Sequence, residues 1–129
     1  MAQEAGDGRQ LDRLFETIAA RKGADPDASY TAKLLHRGVE KCAQKMGEEA
    51  VETIIAATAR DKAGVISESA DLLYHWLVLL AASDVTPQEV YAALARREGT
   101  SGLAEKAARQ KTDKNADKNA DKNAAPNKN

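Results

Sequence analysis

The chain has 129 residues, 43% of them hydrophobic and 30% charged, which is enough for one domain with a core. Its net charge of -1 and its 4% aromatic content exclude the basic field and the stacking platforms of a general nucleic-acid binder. The one cysteine, Cys42, excludes an internal disulfide framework and a cysteine-based zinc cluster, and it is compatible with a cytoplasmic protein.

Composition divides the chain into three predicted regions. Residues 1–9 are polar and small and lack the apolar segment of a secretory signal, so we expect a flexible N-terminus. Residues 10–110 contain nearly all the apolar side chains and are expected to form one all-α domain. Residues 111–129 repeat Asp-Lys-Asn-Ala three times in tandem and have little to bury, so we expect a disordered tail.

Apolar spacing and capping signals predict six helices in the middle region. Ser29 and Ser101 are expected N-caps, Thr86 to Glu89 form a capping box, and Gly99 ends the fifth helix. The first predicted helix has an apolar stripe formed by Leu11, Leu14, Phe15 and Ile18. The other five are predicted, in chain order, at Tyr30–His36, Glu40–Arg60, Val65–Ala82, Pro87–Glu98 and Leu103–Gln110.

The fourth predicted helix is apolar nearly all round, which is typical of a helix inside a bundle or an oligomer interface. Its apolar stretch Leu72–Ala82 is too short to span a bilayer, so no membrane segment is expected. Its polar residues Glu68, Asp71 and His75 lie within roughly 60° of one another on the helical wheel. Buried carboxylates without partners are costly, so something must neutralise them.

The third predicted helix has Glu49 and Glu52 beside its apolar face, and a short connection makes it pair antiparallel with the fourth. With Lys62 as the centre of the hairpin, Glu52 lies level with Asp71, and Glu49 and Glu68 lie about one turn to either side. Four carboxylates without a thiolate suit a hard cation, Mg²⁺ first and Mn²⁺ next. His75 is then either a ligand or, as we favour, a residue that hydrogen-bonds Asp71 or a neighbour.

These segments resemble a known family. Lys45 to Glu52 together with Glu68 to Asp71 resemble the EExxE…ExxD signature of the MazG-like all-α nucleoside-triphosphate pyrophosphohydrolases. More narrowly, the chain resembles the phosphoribosyl-ATP pyrophosphatase family of histidine biosynthesis, on three further segments, Ser29–Leu35, Asp71–His75 and Arg96–Leu103. The resemblance covers about Leu11 to Arg109, and the Asp-Lys-Asn-Ala tail has no counterpart in it.

The resemblance implies magnesium-dependent hydrolysis of phosphoribosyl-ATP to phosphoribosyl-AMP and pyrophosphate. Carried over to this sequence, it implies that the metal ligands are Glu49, Glu52, Glu68 and Asp71. Glu48 would bind a second ion or orient the attacking water. Lys45 is the first candidate for a phosphate contact because it shares the Glu49 side of its helix, and the weaker candidates are Lys33, Lys41, Arg96 and Arg97.

Three questions about assembly and activity remain open in the sequence. The apolar surface of the two acidic helices predicts a homodimer, or a higher homo-oligomer, of the four-helix-bundle type, with a substrate cleft partly built by the second chain. A house-cleaning nucleoside-triphosphate pyrophosphatase would carry the same metal site. A non-catalytic helical interaction module would carry the same glutamates with water around them.

Overall fold

The computed structural model describes residues 6–98 and 102–123, and the side chains of 6–98 and 102–120. Within those ranges every regular element is a helix, which confirms the all-α prediction. The chain forms two compact units, one ending at Glu89 and the other beginning at Val90. The helices are α1 (Arg9–Ala19), α2 (Tyr30–Arg37), α3 (Val39–Thr58), α4 (Lys62–Ala82), α5 (Pro87–Arg97) and α6 (Gly102–Asn123).

Two of the predicted caps are confirmed by hydrogen bonds. The Ser29 hydroxyl accepts the backbone N–H of Ala32 at 3.3 Å and starts α2. At the start of α5, the Thr86 N–H donates to the Glu89 carboxylate at 2.7 Å, and the Glu89 N–H donates back to the Thr86 hydroxyl at 3.3 Å. The expected roles of Gly99 and Ser101, and residues 1–5 and 124–129, lie outside the described residues.

The connection between α3 and α4 differs from the prediction. Helix α4 begins at Lys62 rather than Val65, because the Asp61 carboxylate caps it by accepting the Gly64 N–H at 3.0 Å. Helix α3 ends at Thr58, and Arg60 then takes the left-handed conformation with φ of 57°. The turn is therefore centred on Arg60 and not on Lys62, which changes the level at which the acidic residues of the two helices face each other.

The core of the first unit lies where α1, α2 and α3 pack around α4. Cys42 of α3 is buried as a small core residue, and its thiol donates to the carbonyl of Leu34. His36, at the end of α2, is exposed. The most deeply buried apolar residues are Ile18, Ala32, Leu34, Cys42, Leu77, Val78 and Pro87.

Taken as a whole, α4 is long and apolar enough to cross a membrane by length and composition alone. The prediction of no membrane segment rested on the shorter stretch Leu72–Ala82, whereas the whole helix has 21 residues. The core helix of a folded domain passes the same test, and α4 packs against three other helices of the first unit.

Helix α6 continues well beyond the predicted end at Gln110. It runs to Asn123 through the tandem repeats, where a disordered tail was expected. Its described side chains are exposed except that of Glu105, which is half-buried. Alanine and lysine favour a helix, whereas the aspartate and asparagine that form the other half of each repeat disfavour it, so local propensity by itself does not explain this helix.

Candidate active site

The turn at Arg60 sets the level of the acidic side chains in the α3–α4 hairpin. Arg60 lies midway in sequence between Glu49 and Asp71, and also midway between Glu52 and Glu68. Because both helices rise by the same distance per residue, the members of each pair face each other across the hairpin. The predicted pairing of Glu52 with Asp71 is therefore wrong by about one turn, although three of the four predicted carboxylates, those of Glu49, Glu68 and Asp71, do converge.

Three carboxylates from both helices share one focus. One oxygen atom from each of Glu49, Glu68 and Asp71 lies within 4.8 Å of the other two. Glu52 lies beside Glu49 and Glu68, close enough to raise the pKa of both. We call these four residues the acidic cluster; they are the set that the resemblance implied as metal ligands.

The acidic cluster carries more negative charge than its surroundings balance. Burial raises the pKa of Glu49 to about 7, and the neighbouring carboxylates of Glu52, Glu68 and Asp71 add to the effect. Chiefly because of Glu52, the pKa of Glu68 is raised as well. The Oε2 atoms of Glu49 and Glu68 are buried without a hydrogen-bond partner. Such oxygens are costly unless something binds them.

His75 of α4 lies next to the cluster and is buried. Its Nε2 atom is 3.9 Å from Oε1 of Glu49, so its nearest acidic partner is Glu49 and not Asp71. Burial lowers the pKa of His75 below its ordinary value of 6.5, and the Lys45 charge lowers it further. The ring therefore favours the neutral form near neutral pH.

Lys45 and Glu48 of α3 form an ion pair at the edge of the cluster. The Lys45 Nζ atom lies 2.7 Å from Oε2 of Glu48, and the Gln44 amide donates to the other oxygen of Glu48 at 2.9 Å. Lys45 also lies near Glu49, which contributes to a raised pKa of the lysine. Glu48 therefore stands apart from the three converging carboxylates, with partners of its own.

The remaining basic candidates lie on several elements. Lys33 on α2 is exposed, and Lys41 on α3 is half-buried. After Lys45 and Gln44, the positive charge of Lys41 also contributes to lowering the pKa of Glu48. Arg96 and Arg97 belong to the second unit, where they line a surface cavity of about 280 Å³ with Ala93 and Glu105. Arg97 is engaged there, because its Nε atom lies 3.0 Å from the Glu105 carboxylate.

The donor set of the cluster fits a hard divalent cation. All of its ligand atoms are carboxylate oxygens, and two of the buried oxygens have no other partner. A cation would neutralise the repulsion that raises the pKa of Glu49 and Glu68. It would also reverse the sign of the local field, so that a polyphosphate could approach.

Comparison with known proteins identifies the family. The family model described as phosphoribosyl-ATP pyrophosphohydrolase matches residues 11–98, which is more than half of the chain. The chain belongs to the phosphoribosyl-ATP pyrophosphohydrolase family. The match contains the whole acidic cluster together with His75, Lys45 and Glu48, and it ends before α6.

Curated relatives agree with this family. Proteins named phosphoribosyl-ATP pyrophosphatase from Parvibaculum lavamentivorans and Cereibacter sphaeroides are 72% and 68% identical to the chain. These alignments cover 81% and 77% of the chain and 96% of each relative. The protein of the same name from Azospirillum brasilense is 60% identical over 85% of the chain and 99% of the relative. The resemblance inferred from the motifs is thereby confirmed.

Contacts of the two tyrosines beside His75 were not predicted. The rings of Tyr30 and Tyr74 approach the His75 ring edge-on, and the Tyr74 hydroxyl hydrogen-bonds the Thr31 hydroxyl at 2.5 Å. From the sequence, Tyr74 had been assigned to packing or to a dimer interface. One feature of the sequence could have drawn attention to these contacts: Tyr30, Thr31 and Tyr74 all lie in the segments on which the family resemblance rests.

Proposed function

We propose that this chain hydrolyses the α–β phosphoanhydride of phosphoribosyl-ATP, giving phosphoribosyl-AMP and pyrophosphate in the second step of histidine biosynthesis. The observation that carries the proposal is the common focus of Glu49, Glu68 and Asp71 in a member of this family. A substrate of this kind is a polyanion, and a cluster of carboxylates handles it only through a cation.

In the proposed site, Mg²⁺ is held by Glu49, Glu68 and Asp71, and Glu52 supplies the fourth carboxylate. When bound, the cation supplies Lewis-acid stabilisation of charge on the phosphoryl oxygens. Mn²⁺, which prefers similar ligands, is expected to substitute. The hard oxygen donors and the unpartnered Oε2 atoms of Glu49 and Glu68 support this assignment.

The other side chains of the site position the substrate and the water. We assign Lys45 to a phosphate contact, because its ammonium lies near Glu49. A rotation of the Lys45 side chain would release it from its ion pair with Glu48 and let it reach a phosphate. Glu48, once released by Lys45, would orient the attacking water or contribute to a second ion. Lys33, Lys41, Arg96 and Arg97 remain weaker candidates for substrate contacts. Phosphoryl transfer needs chiefly such positioning and charge stabilisation.

The direct test measures release of pyrophosphate from phosphoribosyl-ATP by the purified protein, with Mg²⁺ and with EDTA. We expect turnover that depends on Mg²⁺ or Mn²⁺ and a clear preference over dCTP, dUTP and non-standard nucleoside triphosphates. Faster cleavage of those triphosphates would favour the house-cleaning activity instead. Absence of hydrolysis of every substrate in the panel would leave the non-catalytic module as the better description.

We further propose that the enzyme works in the cytoplasm as a homodimer whose hairpins form a four-helix bundle. Several large apolar side chains of the hairpin are 43% to 64% exposed, which is unusual for a lone chain; they are Val51, Ile54, Ile55, Ile66 and Leu73. The three on α3 follow an i, i+3, i+4 spacing and share one side of the helix. A second copy would bury this surface and complete a substrate cleft.

The assembly is tested by light scattering on the wild type and on the Ile54→Glu variant. We expect a dimeric mass for the wild type and a shift toward the monomer for the variant, because a charge in an apolar interface loses hydration without gaining a partner. The matched control is Glu40→Gln, a polar change on the exposed first turn of the same helix. A monomeric wild type at micromolar concentration would contradict the proposed dimer.

A further inference from the structure

His75 is the one polar or charged residue among the described residues that the fold buries fully, with 5% of its surface exposed. It lies on α4 one turn beyond Asp71, among the apolar residues of that helix. Burial of an imidazole in such surroundings carries a desolvation cost. A leucine there would avoid this cost, so the imidazole has to contribute something that an apolar side chain cannot.

The ring of His75 is held in one orientation by two tyrosines. Tyr74 approaches it edge-on with ring centres 5.0 Å apart, and Tyr30 does so at 6.3 Å. Tyr74 is itself fixed by the hydrogen bond between its hydroxyl and that of Thr31 on α2. The aromatic contacts and this hydrogen bond connect α2 to the imidazole, which limits its rotation.

The two ring nitrogens of His75 have different surroundings. Nε2 faces Oε1 of Glu49 at 3.9 Å, whereas Nδ1 is buried without a hydrogen-bond partner. In a neutral imidazole, one nitrogen carries the proton and the other has a lone pair. The proton belongs on Nε2, because there it points toward a carboxylate oxygen, while an N–H at Nδ1 would have no acceptor.

The two oxygens of Glu49 also differ. Oε1 faces His75, and Oε2 is buried without a partner, in a cluster where the carboxylates of Glu68 and Asp71 converge. The separation of 3.9 Å exceeds an N–H···O hydrogen bond by about 1 Å. A small rotation of the Glu49 side chain would close this gap and leave the unpartnered Oε2 as the oxygen available to a cation.

We propose that His75 is a positioning residue, whose Nε2–H holds Oε1 of Glu49 so that Oε2 faces the divalent cation. This role rests on the proposed metal site and deepens it. The sequence prediction had left the partner open as Asp71 or a neighbour, and the structure points to Glu49. Residues that hydrogen-bond a metal ligand without touching the metal typically contribute 10- to 100-fold to metal affinity or activity.

The test compares two variants of similar side-chain length in the full-length protein, His75→Gln and His75→Met. Gln retains an amide N–H near the position of Nε2, whereas Met fills the space without a donor. Mn²⁺ affinity is measured by electron paramagnetic resonance of the free ion. We expect His75→Met to weaken Mn²⁺ binding about 10- to 100-fold and His75→Gln to stay within about threefold of wild type.

Melting in EDTA separates this role from a purely structural one. His75→Met, which removes a buried polar group, should melt no lower than His75→Gln. Equal loss of Mn²⁺ affinity in both variants, or wild-type affinity in His75→Met, would overturn the proposal. If wild type binds Mn²⁺ with the expected dependence on His75 but does not hydrolyse phosphoribosyl-ATP, the proposed function fails while the positioning role stands. If wild type binds no Mn²⁺, the role of His75 fails with the metal site.

A measurement on the wild-type protein avoids any effect of substitution on folding. The chain has only 2 histidines, and His36 is exposed, so their ¹⁵N imidazole signals can be distinguished through a His36→Gln variant. We expect His75 to be the Nε2–H tautomer and its N–H proton to exchange more slowly after Mg²⁺ is added. An Nδ1–H tautomer, or an imidazole that Mg²⁺ leaves unchanged, would refute the proposed contact with Glu49.

Discussion

Helices α4 and α6 have nearly the same length, 21 and 22 residues, yet they owe their helical form to different causes. Helix α4 is apolar and is held by packing against its neighbours in the first unit, with five buried residues. The described side chains of α6 are almost all exposed, so its helix is held by its own backbone hydrogen bonds and not by packing.

This contrast shows that tertiary placement, and not residue type, sets the surroundings of a carboxylate. Asp113 and Asp117 of α6 are surrounded by water, as most acidic residues on helices are. Glu68 and Asp71 of α4 instead meet Glu49 of α3 at one focus, where burial raises the pKa of Glu49 and the neighbouring Glu52 raises that of Glu68. Placement against a packed neighbour, and not the acidic residue alone, produces a group that can bind a cation.

The largest effect is expected when a carboxylate of the cluster is neutralised. Glu49→Gln should lower kcat for phosphoribosyl-ATP at least about 100-fold, on the scale of losing one preorganised electrostatic contact. The fold should persist, because the change removes charge repulsion without changing volume. The matched control, Asp117→Asn on α6, should keep wild-type kcat. Wild-type turnover in Glu49→Gln, with circular dichroism showing a folded protein, would eliminate the proposed metal site.

The second expected effect is stabilisation by the metal. At 100 times its dissociation constant, Mg²⁺ should add about 2.7 kcal/mol to the free energy of unfolding and raise Tm accordingly. The measurement is calorimetric melting with Mg²⁺ and with EDTA. Asp71→Asn should lose most of the increase, whereas Asp113→Asn should retain it. An equal increase in both variants would mean that Mg²⁺ acts elsewhere on the chain.

A smaller effect is expected from pH in the metal-free protein. The pKa of Glu49 is raised to about 7 from an ordinary 4.5, so between these values the folded state binds more protons than the unfolded chain. This contribution to stability is fully present below pH 4.5 and is lost as the pH rises through about 7. Urea unfolding in EDTA should show the decline, and Glu49→Gln should reduce it. An identical pH profile in both proteins would contradict the assignment.

The smallest effect is expected from removal of residues 111–129. The described side chains of this segment are exposed, so a chain ending at Gln110 should keep kcat within about twofold and Tm within a few degrees. Steady-state assays and melting of the two chains provide the check. A large loss of either property would show that the segment does more than extend a solvated helix, and that the domain does not end near Gln110.

Most helices were predictable because their signals are local. The Ser29 cap and the capping box of Thr86 and Glu89 were recognised from side-chain chemistry at fixed spacing, and the structure has both. The start of α4 was missed by three residues, because Asp61 was read as part of a loop although it is an N-cap. That error displaced the predicted hairpin centre and hence the pairing of Glu52 with Asp71.

By itself the sequence determined the all-α class, the hairpin, the identity of the acidic residues and the family, since each depends on residue types at short spacing. Only the tertiary structure decided that Glu49 faces Asp71, that Lys45 is paired with Glu48, and that His75 faces Glu49 between two tyrosines. The contacts between helices depend on the turn conformation at Arg60, which no local sequence pattern predicted.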